Sequence, residues 1–406
     1  MKRCGLLGRK LGHSYSPLIH SMLADYPYEL FEREPEALEA FLKDGDWTGI
    51  NVTIPYKKAV VPYCAELSPL ARALGSVNTL VRRPDGSLYG DNTDDWGFEK
   101  MALRLGVAYQ GKKALILGSG GASVTARAVM QALGAETVVI SRSGEDNYDN
   151  LERHSDAQIL VNTTPVGMFP NNGAAPLDLD RLPALEAVMD VIYNPARTAL
   201  ILQAEAKGIP CESGLYMLVA QAVRAAEQFS GRTVPQPELE RVWKAVGNQM
   251  RNLVLIGMPG AGKSTVGAVL AAQTGRMLVD ADEEIARRIG MSIPEYFAAY
   301  GEEAVRRQET QVLAELGKQS GLIIATGGGC VTRPENYPLL HQNGVLIWLK
   351  RELDALPTDG RPVSQRDGVA AIYEKRKALY QRFADMETEN SGTPESAAAE
   401  ILAALG

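Results

Sequence analysis

Hydrophobic and polar residues follow one recurring order along most of this chain. Short, largely apolar runs end in polar or glycine-rich loops, as at residues 113–117, 137–140, 253–256 and 322–326. Stretches with helical spacing follow two of these loops, at 124–133 and 266–271. Buried strands that alternate with helices are typical of parallel sheets covered by helices. The pattern therefore predicts an α/β protein.

Composition and charge narrow the class of protein. The 406 residues are 45% hydrophobic and 22% charged, which predicts two or three globular domains. A net charge of −7 argues against a nucleic-acid-binding surface, and we expect neither a signal peptide nor a membrane span. The four cysteines form no Cys-x-x-Cys pair and the four histidines have no metal-ligand spacing. We expect a cytoplasmic protein without a resident metal, apart from the Mg²⁺ that accompanies a nucleotide.

A phosphate-binding loop follows the apolar run at 253–256. Its glycines allow consecutive backbone N–H groups to surround a phosphate, Lys263 adds a positive charge, and Ser264 can hold Mg²⁺. A structural glycine turn is the alternative, but the strand before the loop and the helix after it favour nucleotide binding. The predicted ATP-binding residues are Gly257, Gly260, Ala261, Gly262, Lys263, Ser264 and Thr265.

A second nucleotide loop follows the strand at 113–117, and Ser123 replaces its third glycine. Because it lies between a strand and a helix, it predicts a Rossmann βαβ unit. The next strand ends in Ser141, Arg142 and Ser143, which suit the 2′-phosphate of NADP better than the ribose hydroxyls of NAD. The loop residues predicted to bind the cofactor are Gly118, Gly120, Gly121, Ala122 and Ser123.

Polar side chains gather near predicted strand ends in the first 100 residues. Burying such groups is costly unless they pair with one another or with a ligand. Ser14 and Ser16 would face the same side of an extended loop, although N-capping of the next helix is an alternative for Ser16. Lys57 follows a strand that breaks at Pro55, whereas a solvated surface lysine is the alternative reading.

These motifs resemble shikimate dehydrogenase. The resemblance is carried by Ser-x-Ser-Pro, Asn-Val-Thr-x-Pro-x-Lys, Val-Asn-Thr and Gly-Asp-Asn-Thr-Asp, in that order. It implies that Lys57 and Asp94 transfer a proton. It implies substrate contacts for Ser14, Ser16, Thr53, Asn78, Tyr193 and Gln221. It also places four residues near the nicotinamide and its ribose, namely Asn162, Thr163, Gly214 and Met217.

Two residues depart from that family's pattern. Asp95 stands where glycine is usual, and we expect its charge to raise the pKa of Asp94. Tyr216 also replaces a usual glycine. For Met217 the alternative to a ligand contact is core packing, and for Tyr193 it is an ordinary aromatic residue at a strand end.

The last third of the chain carries a second resemblance. Asp280 and Asp282 are expected on one side of a strand end, and Arg306 and Glu309 lie three apart on a helix, a spacing that more often gives a surface ion pair. With the phosphate loop and Gly327–Gly329 these motifs resemble shikimate kinase. The resemblance implies that Ser264 and Asp280 lie near Mg²⁺ and that Arg361 and Lys263 contact the transferring phosphoryl group. It assigns shikimate to Asp282, Arg306, Gly328, Gly329 and Arg376.

Val305 replaces a usual phenylalanine in this second family, which predicts a roomier pocket wall. The arginines that family members carry against adenine are hard to find, since Asp354 and Asp359 occupy this region.

The two resemblances define the expected organisation. Residues 1–247 would form a dehydrogenase, with a substrate domain at 1–97 plus about 212–247 and a Rossmann NADP domain at about 98–211. A short linker would lead to a P-loop domain resembling nucleoside-monophosphate kinases at 250–406. The implied function is NADPH-dependent reduction of 3-dehydroshikimate followed by ATP-dependent phosphorylation of shikimate. The alternatives are quinate oxidation in the first half and a non-catalytic metabolite sensor.

Overall fold

The structure is a computed structural model that describes residues 3–12, 14–356 and 367–405. It contains two compact units. Unit 1 comprises 1–168, 174–193 and 200–247, and unit 2 comprises 169–173, 194–199 and 248–406. Each unit contains parallel strands covered by helices, and the predicted α/β class is confirmed.

The first sheet of unit 1 carries the polar strand ends noted in the sequence. Its spatial order is β2-β1-β3-β5-β6-β4, with β5 antiparallel to both β3 and β6. The strands are β1 Cys4–Gly8, β2 Tyr28–Glu32, β3 Gly49–Val52, β4 Glu66–Leu67, β5 Thr79–Arg82 and β6 Leu88–Asp91.

The second sheet of unit 1 is parallel throughout, in the order β11-β10-β9-β7-β8. Its central strands are almost wholly buried because helices cover both faces. The strands are β7 Lys113–Leu117, β8 Glu136–Ile140, β9 Ile159–Asn162, β10 Ala187–Asp190 and β11 Cys211–Ser213. The strand order reverses beside β7, where such sheets bind dinucleotides.

Eight helices accompany these two sheets in the described chain. They are α1 Ser16–Leu23, α2 Leu38–Asp44, α3 Pro69–Leu74, α4 Asp94–Arg104, α5 Gly121–Ala132, α6 Ala199–Ala206, α7 Leu215–Ser230 and α8 Gln236–Met250. The buried face of α7 is rich in alanine, which allows close approach of neighbouring elements.

Unit 2 is built on one parallel sheet in the order β13-β14-β12-β15-β16. Its strands are β12 Asn252–Ile256, β13 Leu278–Asp280, β14 Ile323–Ala325, β15 Gly344–Lys350 and β16 Met386–Glu389. Its described helices are α9 Lys263–Thr274, α10 Ala281–Ile289, α11 Ile293–Leu316, α12 Asn336–His341, α13 Val369–Phe383 and α14 Pro394–Leu405. Gly301 interrupts α11 with a φ of 79°, a conformation that glycine adopts without strain.

The short linker expected after residue 247 is helical, because α8 continues to Met250, and the boundary between the two units falls between Gly247 and Asn248. Two other local interpretations were wrong. Asp280 and Asp282 do not share a strand end: β13 ends at Asp280, whose side chain accepts the N–H groups of Asp282 and Glu283 and so begins α10. Ser16 is not a helix cap, since α1 begins at Ser16 itself and Tyr15 precedes it without a side-chain capping bond.

None of the helices within the described residues is both long enough and apolar enough to span a lipid bilayer.

Candidate active sites

Unit 1 contains a cavity of about 300 Å³ at the ends of its central strands. Residues from the first sheet, the glycine loop after β7 and helix α7 line it. Its walls include every substrate residue expected from the sequence, namely Ser14, Ser16, Thr53, Lys57, Asn78, Asp94, Tyr193 and Gln221.

An ion pair lies at the centre of this cavity wall. Lys57 Nζ is 3.1 Å from Asp94 Oδ2, and Asn78 Nδ2 donates to Asp94 Oδ1 at 2.9 Å. The side chain of Lys57 is 32% exposed and that of Asp94 is 26% exposed. Lys58, by contrast, is exposed and is not part of the cavity wall. The pair can therefore supply a proton to a ligand in the cavity.

The loop before α1 and the first residue of that helix add the hydroxyl groups of Ser14 and Ser16 to the cavity wall. Ser14 Oγ accepts the backbone N–H of Ser16 at 3.2 Å, which ties the loop to the start of the helix. Tyr15 makes an edge-on contact with Tyr193, with ring centroids 6.3 Å apart. Burial raises the pKa of Tyr193, so its hydroxyl stays protonated and can donate a hydrogen bond.

One face of α7 closes the cavity. Gly214, Met217 and Gln221 all line it, as their spacing on a helix predicts. A Cβ at Gly214 would lie 2.0 Å from the carbonyl oxygen of Val191, so only glycine permits this approach of helix and strand.

The glycine loop after β7 leaves space for a phosphate. Gly118 has a φ of 106°, and its N–H bonds the carbonyl of Ile140 on β8. A Cβ added at Gly120 or Gly121 would meet no atom within 4 Å, and α5 begins at Gly121. Ser123, in the place of the third glycine, is buried. The loop therefore opens at a helix N-terminus, as pyrophosphate binding requires.

Two other groups of predicted cofactor residues differ in their surroundings. Ser141, Arg142 and Ser143 follow the end of β8, with Arg142 and Ser143 exposed, as a 2′-phosphate site requires. Asn162, in contrast, is fully buried, donates to Asp190 at 3.1 Å and accepts from Thr164. Thr163 Oγ1 donates to the Leu117 carbonyl at 2.6 Å. These two side chains hold β9 in place and are engaged with the protein.

The departures from the dehydrogenase pattern have local explanations. Burial, together with Asp91 and Asp94, raises the pKa of Asp95 itself. Tyr216 points into the protein, where its hydroxyl bonds Glu240 at 2.7 Å and its ring contacts the guanidinium of Arg104. Tyr216 therefore fastens α7 to α4 and α8.

Unit 2 contains a larger cavity, of about 650 Å³, beside the phosphate loop. Its lining includes most of the residues predicted for ATP and shikimate, namely Gly260, Gly262, Lys263, Ser264, Thr265, Asp280, Asp282, Arg306, Gly328, Gly329 and Arg376. Gly257 and Ala261 are not part of this wall: Gly257 packs against the Leu349 carbonyl, and Ala261 is fully buried. Arg361 lies outside the described residues.

The phosphate loop is held in shape by its own lysine. Lys263 Nζ donates to the carbonyls of Gly257 and Met258 at 3.1 and 3.0 Å. Ser264 Oγ donates to Asp280 Oδ2 at 2.5 Å. The described residues contain no cluster of three or more metal-binding side chains. Two oxygen ligands beside a phosphate site nevertheless fit Mg²⁺, which takes few protein ligands and keeps water and phosphate oxygens.

A charged cluster lines the same cavity. Arg306 Nη1 bonds Glu309 at 2.9 Å, and the Glu309 side chain is only 2% exposed, so this is not the surface ion pair that spacing favours. Burial and the nearby Glu309 carboxylate raise the pKa of Asp282 to about 6. A carboxyl with such a pKa can exchange a proton near neutral pH.

Two cavity residues, and one residue behind the cavity wall, were missed by the sequence reasoning. Asn51, buried within the Asn-Val-Thr motif, lines the unit 1 cavity and accepts the Tyr28 hydroxyl at 2.8 Å. Arg351 lines the unit 2 cavity and donates to the Gly260 carbonyl at 3.2 Å. Tyr380 lies behind the glycine loop and donates to Gly328. Asn51 belongs to the Asn-Val-Thr motif and Tyr380 to the segment that contains Arg376, whereas Arg351 belongs to neither resemblance.

Val305 lines the unit 2 cavity, as its place in the motif predicts, and Phe297 lines the same cavity.

The fold and the two cavities define a dinucleotide-binding oxidoreductase joined to a P-loop phosphotransferase. Comparisons with known proteins agree. Residues 6–80 match the family model for the shikimate dehydrogenase substrate binding domain, and residues 259–406 match that for shikimate kinase. A shikimate dehydrogenase (NADP(+)) of Clostridium perfringens is 35% identical over 270 residues, which span 60% of this chain and 98% of that protein. One from Caldicellulosiruptor bescii is 36% identical over 254 residues, spanning 55% of this chain and 88% of that protein.

Solved structures are similar to the same part of the chain. A chorismate mutase/shikimate 5-dehydrogenase fusion protein from Clostridium acetobutylicum has a TM-score of 0.57 and 32% identity, covering 60% of this chain and 97% of that one. Shikimate 5-dehydrogenase from Thermus thermophilus, solved with NADP(H) and shikimate, has a TM-score of 0.55 and 30% identity, covering 60% and 99%.

The chain belongs to the shikimate dehydrogenase family and carries a shikimate kinase domain at its C-terminal end. It is an enzyme with an NADP-dependent oxidoreductase part and a kinase part. The quinate and sensor alternatives are not favoured by these relatives.

Proposed function

We propose that unit 1 reduces 3-dehydroshikimate to shikimate with NADPH, and that unit 2 phosphorylates the 3-hydroxyl of shikimate with ATP. The observation that carries this proposal is the Lys57–Asp94 pair, 3.1 Å apart in a cavity that α7 and the dinucleotide loop both border. This arrangement supports a proton-donor role for Lys57 beside the loop expected to bind the cofactor.

In the reduction, the hydride for the carbonyl carbon would come from bound NADPH. Lys57 donates its proton to the carbonyl oxygen as that oxygen becomes negative, and Asp94 orients the ammonium group. Asn78 holds the second oxygen of Asp94 at 2.9 Å, which keeps the carboxylate facing Lys57. The hydroxyls and carboxylate of the ring are bound by the polar residues of the cavity wall, namely Ser14, Ser16, Thr53, Tyr193 and Gln221.

The glycine loop and the end of β8 would hold NADPH. The open space at Gly120 and Gly121 would take the pyrophosphate at the N-terminus of α5, and Gly214 and Met217, which line the cavity, would border the nicotinamide. Arg142, flanked by Ser141 and Ser143, would form charge-assisted hydrogen bonds to the 2′-phosphate. Asn162 and Thr163 act through the backbone they hold, because their side chains are engaged with the protein.

In the phosphorylation, the chain positions two ligands and neutralises charge. Lys263 contacts the outer phosphates, and Ser264 with Asp280 would hold Mg²⁺, which supplies charge neutralisation when bound. Arg306 and Arg376, which line the same cavity, bind the shikimate carboxylate. Asp282, with a pKa of about 6, accepts the proton of the attacking hydroxyl. Arg361 is assigned to the transferring phosphoryl group from the sequence alone.

We further propose a cytoplasmic setting, in keeping with four free cysteines in a reducing compartment.

Two substitutions test the proposal with the full chain. Lys57→Ala is expected to stop NADPH oxidation by 3-dehydroshikimate and to leave shikimate-dependent ADP release intact. Lys263→Ala is expected to do the reverse. Loss of both activities in either variant would show that the two sites are not independent, and activity without shikimate or 3-dehydroshikimate would refute the substrate assignment.

A further inference from the structure

The carbonyl oxygen of Gly328 receives two hydrogen bonds from one helix. Arg376 Nη1 donates to it at 2.9 Å and the Tyr380 hydroxyl donates to it at 2.6 Å. These residues are four apart on α13, so they lie one above the other on the same face. A carbonyl oxygen has two lone pairs, and both are used here.

The same peptide is crowded on its other sides. A Cβ added at Gly328 would lie 2.6 Å from Pro259 of the phosphate loop. A Cβ added at Gly329 would lie 2.0 Å from Nη1 of Arg306. The Gly328–Gly329 peptide therefore separates the phosphate loop from Arg306, and a small rotation of it would disturb both.

Tyr380 is built into this arrangement from behind. Its side chain is fully buried, and its ring stacks on Trp348 at 5.6 Å with an interplanar angle of 18°. Burial raises the pKa of its phenol, so the hydroxyl stays a donor throughout the working pH range. Tyr380 is not among the residues lining the cavity, so it acts through Gly328 and Arg376.

We propose that Tyr380 is a positioning residue of the kinase site, whose hydroxyl sets the Gly328–Gly329 peptide and thereby the two arginines that bind the acceptor carboxylate. Because Tyr380 supplies a neutral donor to Gly328, Arg376 needs only one of its five N–H groups there and keeps the others for the ligand. Without the hydroxyl, Arg376 alone would hold the carbonyl and would turn toward it. This inference rests on the acceptor role proposed above for Arg306 and Arg376.

The test is Tyr380→Phe in the full chain, which removes the hydroxyl and keeps the ring that stacks on Trp348. We expect the KM for shikimate to rise about three- to tenfold, the effect of one hydrogen bond, with the KM for ATP and the melting temperature little changed. Tyr373→Phe is the matched control on the same helix, where a half-buried tyrosine loses its hydroxyl. It should leave both KM values unchanged.

A second variant separates positioning from folding. Tyr380→4-aminophenylalanine restores an N–H donor on the same ring, and its KM for shikimate should return to within about twofold of the unaltered chain, less than one hydrogen bond is worth.

An unchanged shikimate KM in Tyr380→Phe would overturn the inference, as would equal rises in both KM values, failure of that variant to fold, or no recovery with 4-aminophenylalanine. If the unaltered chain itself released no ADP with shikimate, the proposed function would fail instead, which keeps the two results distinct.

Discussion

Asp282 is expected to reduce the stability of unit 2 while it serves the kinase site. Its carboxyl lies beside Glu309, and its pKa is raised from 3.8 to about 6, first by burial and then by that neighbouring charge. A raised carboxyl pKa means that the folded state favours the protonated form. The stability that unit 2 gains from holding the Asp282 carboxyl in its protonated form is therefore fully present below pH 3.8. It is lost as the pH rises through about 6 and the carboxyl ionises in the folded state.

The magnitude follows from the pKa difference. At about 1.36 kcal/mol for each pKa unit, a rise from 3.8 to about 6 gives an upper limit of about 3 kcal/mol. Although Asp282 lies deep in the cavity, water in the cavity still reaches more than a third of its surface. Screening by this water lowers the expected effect to about 1–2 kcal/mol. Asp282→Asn should therefore stabilise unit 2 by about this amount at pH 7.

Calorimetry of the full chain can measure this effect, with the transition of unit 2 identified by its shift when ADP is added. The gain from Asp282→Asn should shrink between pH 6 and pH 4, while shikimate phosphorylation is lost at every pH. Asp385→Asn is the control with opposite sign, since hydrogen bonds from His341 and Leu346 outweigh burial and lower the pKa of Asp385. A destabilised Asp282→Asn at pH 7, or a gain independent of pH, would refute the reasoning.

Three further substitutions test other parts of the account. Arg142→Ala should raise the KM for NADPH about 10- to 100-fold and leave that for NADH unchanged; steady-state kinetics with both cofactors will show it, and equal effects would contradict the 2′-phosphate assignment. Tyr216→Gly should lower the free energy of unfolding of unit 1 by about 4 kcal/mol in urea titrations because it empties a buried site, and a loss below about 1 kcal/mol would be too small for that packing role. Gly329→Ala should raise the shikimate KM about tenfold or more, since its Cβ would displace Arg306, and an unchanged KM would show that Arg306 does not bind the acceptor.

The parts of the site that could be predicted from the sequence are those whose chemistry is local. The phosphate loop, the glycine loop after β7 and the Ser14–Ser16 segment each need a particular backbone within a few residues. The residue types in these segments are the ones that such a backbone requires, so the sequence alone indicates them. The order of the strands and loops around them likewise predicted the α/β class.

The remainder depends on contacts between distant segments. Arg351 belongs to no motif, and the contacts of Tyr380 and Arg351 with the glycine and phosphate loops exist only after α13 and β15 have packed. The sequence spacing of Arg306 and Glu309 favoured a surface ion pair, because spacing does not show that Glu309 is buried.

The most direct test of the central claim is the product formed from 3-dehydroshikimate, NADPH and ATP with Mg²⁺ by the purified chain. The account predicts shikimate 3-phosphate, identified by mass spectrometry, with one NADPH and one ATP consumed for each molecule formed. Omission of ATP should leave shikimate, and omission of NADPH should leave the starting acid unchanged. NADPH oxidation without any phosphorylated product, or ATP consumption that does not depend on shikimate, would contradict the account.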